Sequence, residues 1–407
     1  MNVRNYALVT GAYWAFTITD GALRMLVLLH FHELGYSPVA LALLFLLYEL
    51  MGVVTNLVGG WVAPRWGLNR TLATGLAVQI IALSVLSLQD PAWAEVGSVI
   101  FVMGAQALSG IAKDLTKMSS KSAIKFVVGG ATETEQQSAL FKWVAILTGS
   151  KNALKGVGFF IGGALLSWLG FSEALLAMAG VLVVVLIGVL ALLDRDIGRA
   201  VEPEPFGSIL SKSTAVNRLS AARFFLFGAR DVWFVVALPI YLDEALGWSF
   251  EAIGGFLAAW VIGYGIVQAA APRVLGRQGA HDVRSARWLA MILGLITLAI
   301  AGLLSLDIAE DFAVIGGLVL FGVVFALNSS MHSYLILAYS TTEKVVTDVG
   351  FYYSANAAGR LAGTLASGLV YLAGGLTAAM WTSAGSIGVT WLWSRLLPPI
   401  TESSAAT

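Results

Sequence analysis

The chain has 407 residues, 58% of them hydrophobic and 12% charged, and its 24 basic side chains balance its 24 acidic ones. Apolar stretches of about twenty residues recur from one end to the other, the pattern of an all-α integral membrane protein. Neutral charge leaves no footprint for nucleic acid, and the lack of cysteine excludes disulfides, thiol nucleophiles and thiolate metal sites.

Breaks at glycines, prolines and charge clusters predict twelve spans, near 6–31, 39–62, 71–88, 96–117, 138–167, 171–193, 219–242, 250–270, 287–306, 312–337, 350–372 and 377–396. The first closes on HFHELGYSP with no small-residue cleavage pattern, so it is expected to persist rather than be removed as a signal peptide. With a cytoplasmic N-terminus, the connections near 32–38, 89–95, 168–170, 243–249, 307–311 and 373–376 face outward, and none contains Lys or Arg. Arg65, Arg70, Lys117, Lys121, Lys125, Arg195, Arg199, Lys212, Arg273, Arg277, Arg284, Lys344 and Arg395 fall on the other side. This positive-inside pattern places both termini in the cytoplasm, and Trp61, Trp66, Trp93, Trp143, Trp168, Trp248 and Trp288 stand near span ends as an aromatic belt.

The polar stretch DRDIGRAVEPEPFGSILSKSTAVNR at 194–218 reads as a cytoplasmic linker. It separates an N-terminal six-helix bundle, 1–193, from a C-terminal one, 219–397, which is followed by a cytoplasmic tail at 398–407. The halves echo one another. LGYSP at 34 answers LGWSF at 246, and APR at 63 answers APR at 271, a same-direction repeat of six spans.

Several spans carry charge. Thr10, Tyr13, Thr17, Asp20 and Arg24 fall within about 90° of the first helix, and each charge at mid-bilayer costs roughly 2.5 to 3.5 kcal/mol, so this stripe must face protein or water. Asp20 either pairs with Arg24 one turn on or serves another helix; for Arg24 the mutual pair is the weaker reading, because cations are in excess. In LTGSKNALKGVGFF, Thr148, Lys151, Asn152 and Lys155 share about 100° of the fifth span, and two lysines one turn apart repel unless an anion lies between them. The eleventh span presents Tyr352, Asn356, Arg360, Gly363 and Ser367 on one face, and the seventh presents Arg223, Phe227, Arg230 and Phe234 with Asp231 beside them. Arg223 is also readable as an interfacial charge.

Arg24, Lys151, Lys155, Arg223, Arg230 and Arg360 stand against Asp20, Glu49 and Asp231, an excess of three cations that suits a small, multiply charged anion. Arg24, Lys151, Asn152, Lys155, Arg230, Tyr352, Asn356 and Arg360 are therefore the expected substrate contacts. Asp20, Glu49 and Asp231 are the candidate coupling residues. Lys113, Lys117, Lys121 and Lys125 recur every four residues and read mainly as a cytoplasmic stripe against anionic lipid. His30 and His32 point to opposite sides of a helix and suggest no metal. Gln106, Asn328 and His332 are interior polar groups that suit either a cavity or interhelical hydrogen bonds. No cofactor is expected, and a monomer is.

The stretches NYALVTGAYWAFTITDGALRMLVLLHFHELGYSP, YELMGVVTNLVGGW, SGIAKDLTKMS and LTGSKNALKGVGFF resemble the ArsJ-type organoarsenical efflux permeases of the major facilitator superfamily, over nearly the whole chain. The resemblance implies a bacterial inner-membrane exporter of 1-arseno-3-phosphoglycerate, conferring arsenate resistance and working alongside the glyceraldehyde-3-phosphate dehydrogenase that forms this product from arsenate. By analogy with facilitator exporters, coupling is expected to be proton antiport. GGWVAPRWGLNR has the place of the facilitator loop motif, but Pro64 stands where its aspartate belongs. An organophosphate or drug transporter of the same fold is the nearer alternative. An intramembrane enzyme is the farther one, and no serine motif or metal triad in the sequence presents a nucleophile with its base.

Overall fold

The computed structural model describes residues 3–124, 133–194, 213–275, 283–308, 310–340 and 345–399, and every element among them is helical. In chain order these are α1 (Val3–Glu33), α2 (Pro38–Leu44), α3 (Leu46–Trp66), α4 (Leu68–Leu86), α5 (Glu95–Ile124), α6 (Glu133–Leu169) and α7 (Phe171–Leu192). They continue as α8 (Thr214–Phe234), α9 (Ala237–Glu244), α10 (Phe250–Val274), α11 (Val283–Ser305), α12 (Glu310–Tyr339) and α13 (Val345–Arg395). Eleven stretches among the described residues are long and apolar enough to cross a bilayer. Most of the expected linker, most of the tail, Lys125 and Lys344 lie outside the described residues.

The last stretch, Asp348–Arg395, is 48 residues long, far more than the ~20 that a bilayer core requires. Its backbone breaks where the sequence expects an outward turn: Gly374 and Gly375 leave helical geometry, and Gly375 has φ +63° and ψ −158°. Only glycine adopts that combination without strain.

Two expected single spans are interrupted. The seventh divides into α8 and α9 around Val235 and Val236, because Pro239 has no N–H to give the Val235 carbonyl and its ring crowds that oxygen. The amides of Val236 and Ala237 instead donate to Ser367 Oγ at 3.3 and 3.1 Å, so this serine of the eleventh-span stripe closes a helix break. The second span divides into α2 and α3 at Phe45, whose amide donates three residues back, to Ala42 O.

Glycines set the closest helix approaches, and they do so in both halves of the chain. A methyl added to Gly21 of α1 would lie 2.5 Å from Lys155 O of α6, and one added to Gly363 of α13 would lie 2.6 Å from Gly228 O of α8. The α1–α6 and α8–α13 contacts thus resemble each other, and they fall on what the sequence reading expects to be the first and fifth spans of each half. Helices from either side of the 194–218 stretch also meet, α6 against α10 and α3 against α13. On the outside, α7 leaves Val181, Val184, Ile187 and Leu190 exposed, as lipid contact requires.

Candidate functional site

The tight glycine contacts bring charged residues together. Asp20 precedes Gly21 and Lys155 lies three residues before Gly158, while Arg230 and Asp231 follow Gly228 and Arg360 follows Gly359. These charged residues lie on or behind the wall of a cavity of about 140 Å3 framed by α1, α3, α5, α6, α8, α10, α12 and α13.

Asp20, Arg24, Lys151, Asn152, Lys155, Arg230, Asn356 and Arg360, all singled out from sequence, lie on the cavity lining. Glu49 and Asp231 are fully buried directly behind it, each bonded to lining arginines. Tyr352 does not line it: its side chain is buried within a separate apolar cluster, and the neighbouring Tyr353 takes the place on the wall. Gly359 and Gly363 lie against the backbone of α8 instead, Gly359 facing Phe224 O and Gly363 facing Gly228 O. Arg223, only 4% exposed, is a cavity residue rather than an interfacial one.

The stripe on α5 also needs correction. Lys113 and Lys117 line the cavity with Asp114 between them, instead of leading out to lipid; the side chains of Lys121 and Lys125 lie outside the described residues. Lys117 Nζ donates to Asn56 Oδ1 at 2.7 Å and pairs with Asp114. Gln106, Asn328 and His332 are buried outside the cavity, and Gln106 Nε2 and the side-chain polar atoms of Asn328 and His332 meet no hydrogen-bond partner. His30 stacks on Phe171, whereas His32 Nε2 lies 2.7 Å from Asp243 Oδ2 of α9, so the two diverge as their spacing requires.

The pairing differs from the local expectation. Asp20 and Arg24 do not satisfy each other: Asp20 accepts from Lys155 Nζ at 3.0 Å and from the Tyr48 hydroxyl at 2.5 Å, while Arg24 Nη2 donates to Glu49 Oε1 at 2.6 Å. From Arg24 a ladder of alternating charge crosses the molecule. Glu49 Oε1 also accepts from Arg360 Nη2 at 2.5 Å, Arg360 Nε donates to Asp231 Oδ2 at 3.0 Å, and Asp231 Oδ1 accepts from Arg230 Nε at 2.6 Å. The Glu49–Arg360 rung joins α3 of the first half to α13 of the second.

Arg223 stands apart. It donates to Asn356 Oδ1 and to Ser329 O and Oγ, each at 3.1 Å, and its guanidinium lies 3.9 Å from the centre of the Phe227 ring. Asn152 Nδ2 donates to Gln268 Oε1 at 2.5 Å across the α6–α10 contact, and Tyr264 and Ser329 complete that network. Phe159, Phe234 and Trp260 complete an aromatic flank.

Eight cationic side chains therefore line the cavity against two carboxylates, with Glu49 and Asp231 behind, an excess of four positive charges. Unopposed charge at this burial is costly and favours an anion that accepts several donors at once. Among the described residues no cluster of histidines and carboxylates suits a metal ion. The profile of the Major Facilitator Superfamily matches residues 9–279, about two thirds of the chain. No curated protein matches it significantly.

Proposed function

The chain belongs to the Major Facilitator Superfamily and is a multi-pass membrane transporter, and from that premise we propose that it exports a small polyanion, 1-arseno-3-phosphoglycerate, across a bacterial inner membrane. The observation that carries the anionic substrate is the excess of four positive charges around the cavity. The arsenical identity rests on the resemblance quoted from sequence. In this reading α2 with α3 forms span two, α8 with α9 forms span seven, and the two parts of α13 form spans eleven and twelve, so that the thirteen described helices make twelve spans. Two six-helix bundles then flank the cavity, joined by a cytoplasmic linker, with both termini inside.

Arg24, Arg223, Arg230 and Arg360 would clamp the oxyanion groups with planar N–H forks, and Lys113, Lys151 and Lys155 would add point charge. Asn152 and Asn356 would orient polar groups of the three-carbon backbone. Exchange between inward and outward openings follows if the bundles rock about the α6–α10 and α3–α13 contacts. Proton coupling is assigned to Asp20, which is tied to Lys155: an anion that draws Lys155 away leaves the carboxylate short of a partner and ready to take a proton. Asp231 and Glu49 are the alternative carriers.

The test uses everted vesicles carrying the protein. Glyceraldehyde-3-phosphate dehydrogenase forms the labile ester from arsenate, and accumulation of arsenic in the vesicles is followed. Uptake that requires both the enzyme and arsenate supports the reading, and uptake equal with and without the enzyme contradicts it. An organophosphate carrier is the second reading, because arginine forks and lysines hold phosphate as they hold arsenate. Stable 3-phosphoglycerate carried at the same rate would favour it.

A further inference from the structure

Glu49 is the most enclosed carboxylate of the site, and it does not reach the cavity surface. Its side chain is fully buried behind Arg24, Arg360 and Lys113, three of the cations that do. One oxygen, Oε1, accepts from both arginines, at 2.6 and 2.5 Å. The other, Oε2, meets no hydrogen-bond partner; Lys113 Nζ stands 3.9 Å from it and also 3.9 Å from the centre of the Tyr48 ring. A carboxylate bound lopsidedly, with one oxygen shared between arginine forks and the other unsatisfied, is a poor match for five-donor guanidinium groups. An incoming oxyanion with three acceptor oxygens is a better one.

We propose that Glu49 is an internal stand-in for the transported anion. It holds Arg24 and Arg360 when the cavity is empty and gives them up when an anion enters. Because Arg24 belongs to the first half of the chain and Arg360 to the second, this exchange transfers the link between the halves from protein to cargo. In the empty carrier the same carboxylate lowers the positive charge that must pass through a closed, low-dielectric state. Glu49 then limits affinity and permits the empty carrier to reset. This role is distinct from carrying a proton, and it rests on the polyanion reading given above.

The experiment measures equilibrium binding of 3-phosphoglycerate to purified full-length protein, then net efflux and anion-for-anion exchange in proteoliposomes. Glu49→Gln is expected to bind about tenfold more tightly than wild type, the yield of freeing one charged contact. Asp114→Asn removes a cavity charge that touches neither arginine, and its gain is expected to be clearly smaller. Net efflux by Glu49→Gln should fall while exchange, which needs no empty return, continues. Unchanged or weaker binding by Glu49→Gln, an equal gain in Asp114→Asn, or equal loss of efflux and exchange would each overturn the proposal. If Glu49→Gln does not fold, Glu49→Asp carries the test: its shorter arm cannot span both arginines, and a gain of about two- to threefold is expected. An unchanged or reduced affinity there would overturn it equally. If wild type binds no 3-phosphoglycerate, the polyanion reading falls first and this inference with it.

Discussion

On the wall formed by α1, α5 and α6 most cations are lysines, and three of them face a carboxylate of their own half, Lys155 with Asp20 and Lys113 and Lys117 with Asp114. On the wall formed by α8 and α13 every cation is an arginine. Arg230 lies near the rings of Phe227, Phe234 and Phe325, and Arg223 lies over Phe227 and donates to Asn356 and Ser329. Lysine is a hydrated point charge on a flexible stem, whereas an arginine stacked on a ring is a fixed fork. The difference suggests a division of labour, in which the arginine wall reads oxyanion geometry and the lysine wall supplies charge that can be released.

Substitutions that keep charge but change its shape bear hardest on this contrast. Arg230→Lys and Arg223→Lys are expected to weaken 3-phosphoglycerate binding roughly ten- to a hundredfold, the value of one charged contact of about 1.5 to 3 kcal/mol. Lys113→Arg and Lys151→Arg on the opposite wall should cost far less. Titration of the four purified variants checks this, and equal losses on both walls would erase the distinction.

The glycine contacts beneath the two walls should prove equally demanding. Gly21→Val and Gly363→Val each force a side chain into backbone of the facing helix, at 2.5 Å from Lys155 O and 2.6 Å from Gly228 O for the first carbon alone. Overpacking of this kind costs about 1 to 3 kcal/mol, and thermal unfolding in detergent should show a lower Tm for both variants. A loss confined to Gly21→Val would mean that the second wall is not held as the first is.

Much of this arrangement is legible in the sequence because helical periodicity is strict. Residues of the α1 and α6 stripes that the sequence gathers within about a quarter-turn do share the cavity wall, Thr10 excepted. What escaped depends on contacts between distant segments. The i,i+4 spacing makes Arg24 the visible partner of Asp20, but the Gly21–Gly158 approach delivers Lys155 from 135 residues away. Lys113 and Lys117 resemble the lysines that follow them, and only the fold separates cavity from membrane edge. Tyr352 shares the expected stripe, but its ring packs in the apolar cluster with Leu219, Leu335 and Ile336 while Tyr353 takes the wall. Pro239 stands inside the seventh span, which the sequence reading takes as continuous over 219–242; a proline inside an apolar run is the signal by which such breaks can be found.

Smaller effects sharpen the comparison further. Asp20→Asn on the lysine wall should keep counterflow of anion but lose its response to a pH gradient, whereas Asp231→Asn on the arginine wall should keep that response. Proteoliposome assays with and without a gradient separate the two, and full gradient-driven transport by Asp20→Asn would reduce Asp20 to a structural partner of Lys155. Ser367→Ala removes the acceptor for two amides at the α8–α9 break and is expected to cost about 1 to 2 kcal/mol of stability. Its Tm should fall while anion affinity stays near that of wild type.

The most direct measurement is of charge selectivity at the cavity. Trp260 lies on its lining, so its fluorescence can report occupancy in purified protein. Saturable quenching by 3-phosphoglycerate, absent with uncharged glycerol and weakened roughly tenfold or more by Arg230→Gln, is the expected result. Equal responses to the charged and uncharged compounds, or full affinity in Arg230→Gln, would contradict a cavity built to hold a polyanion.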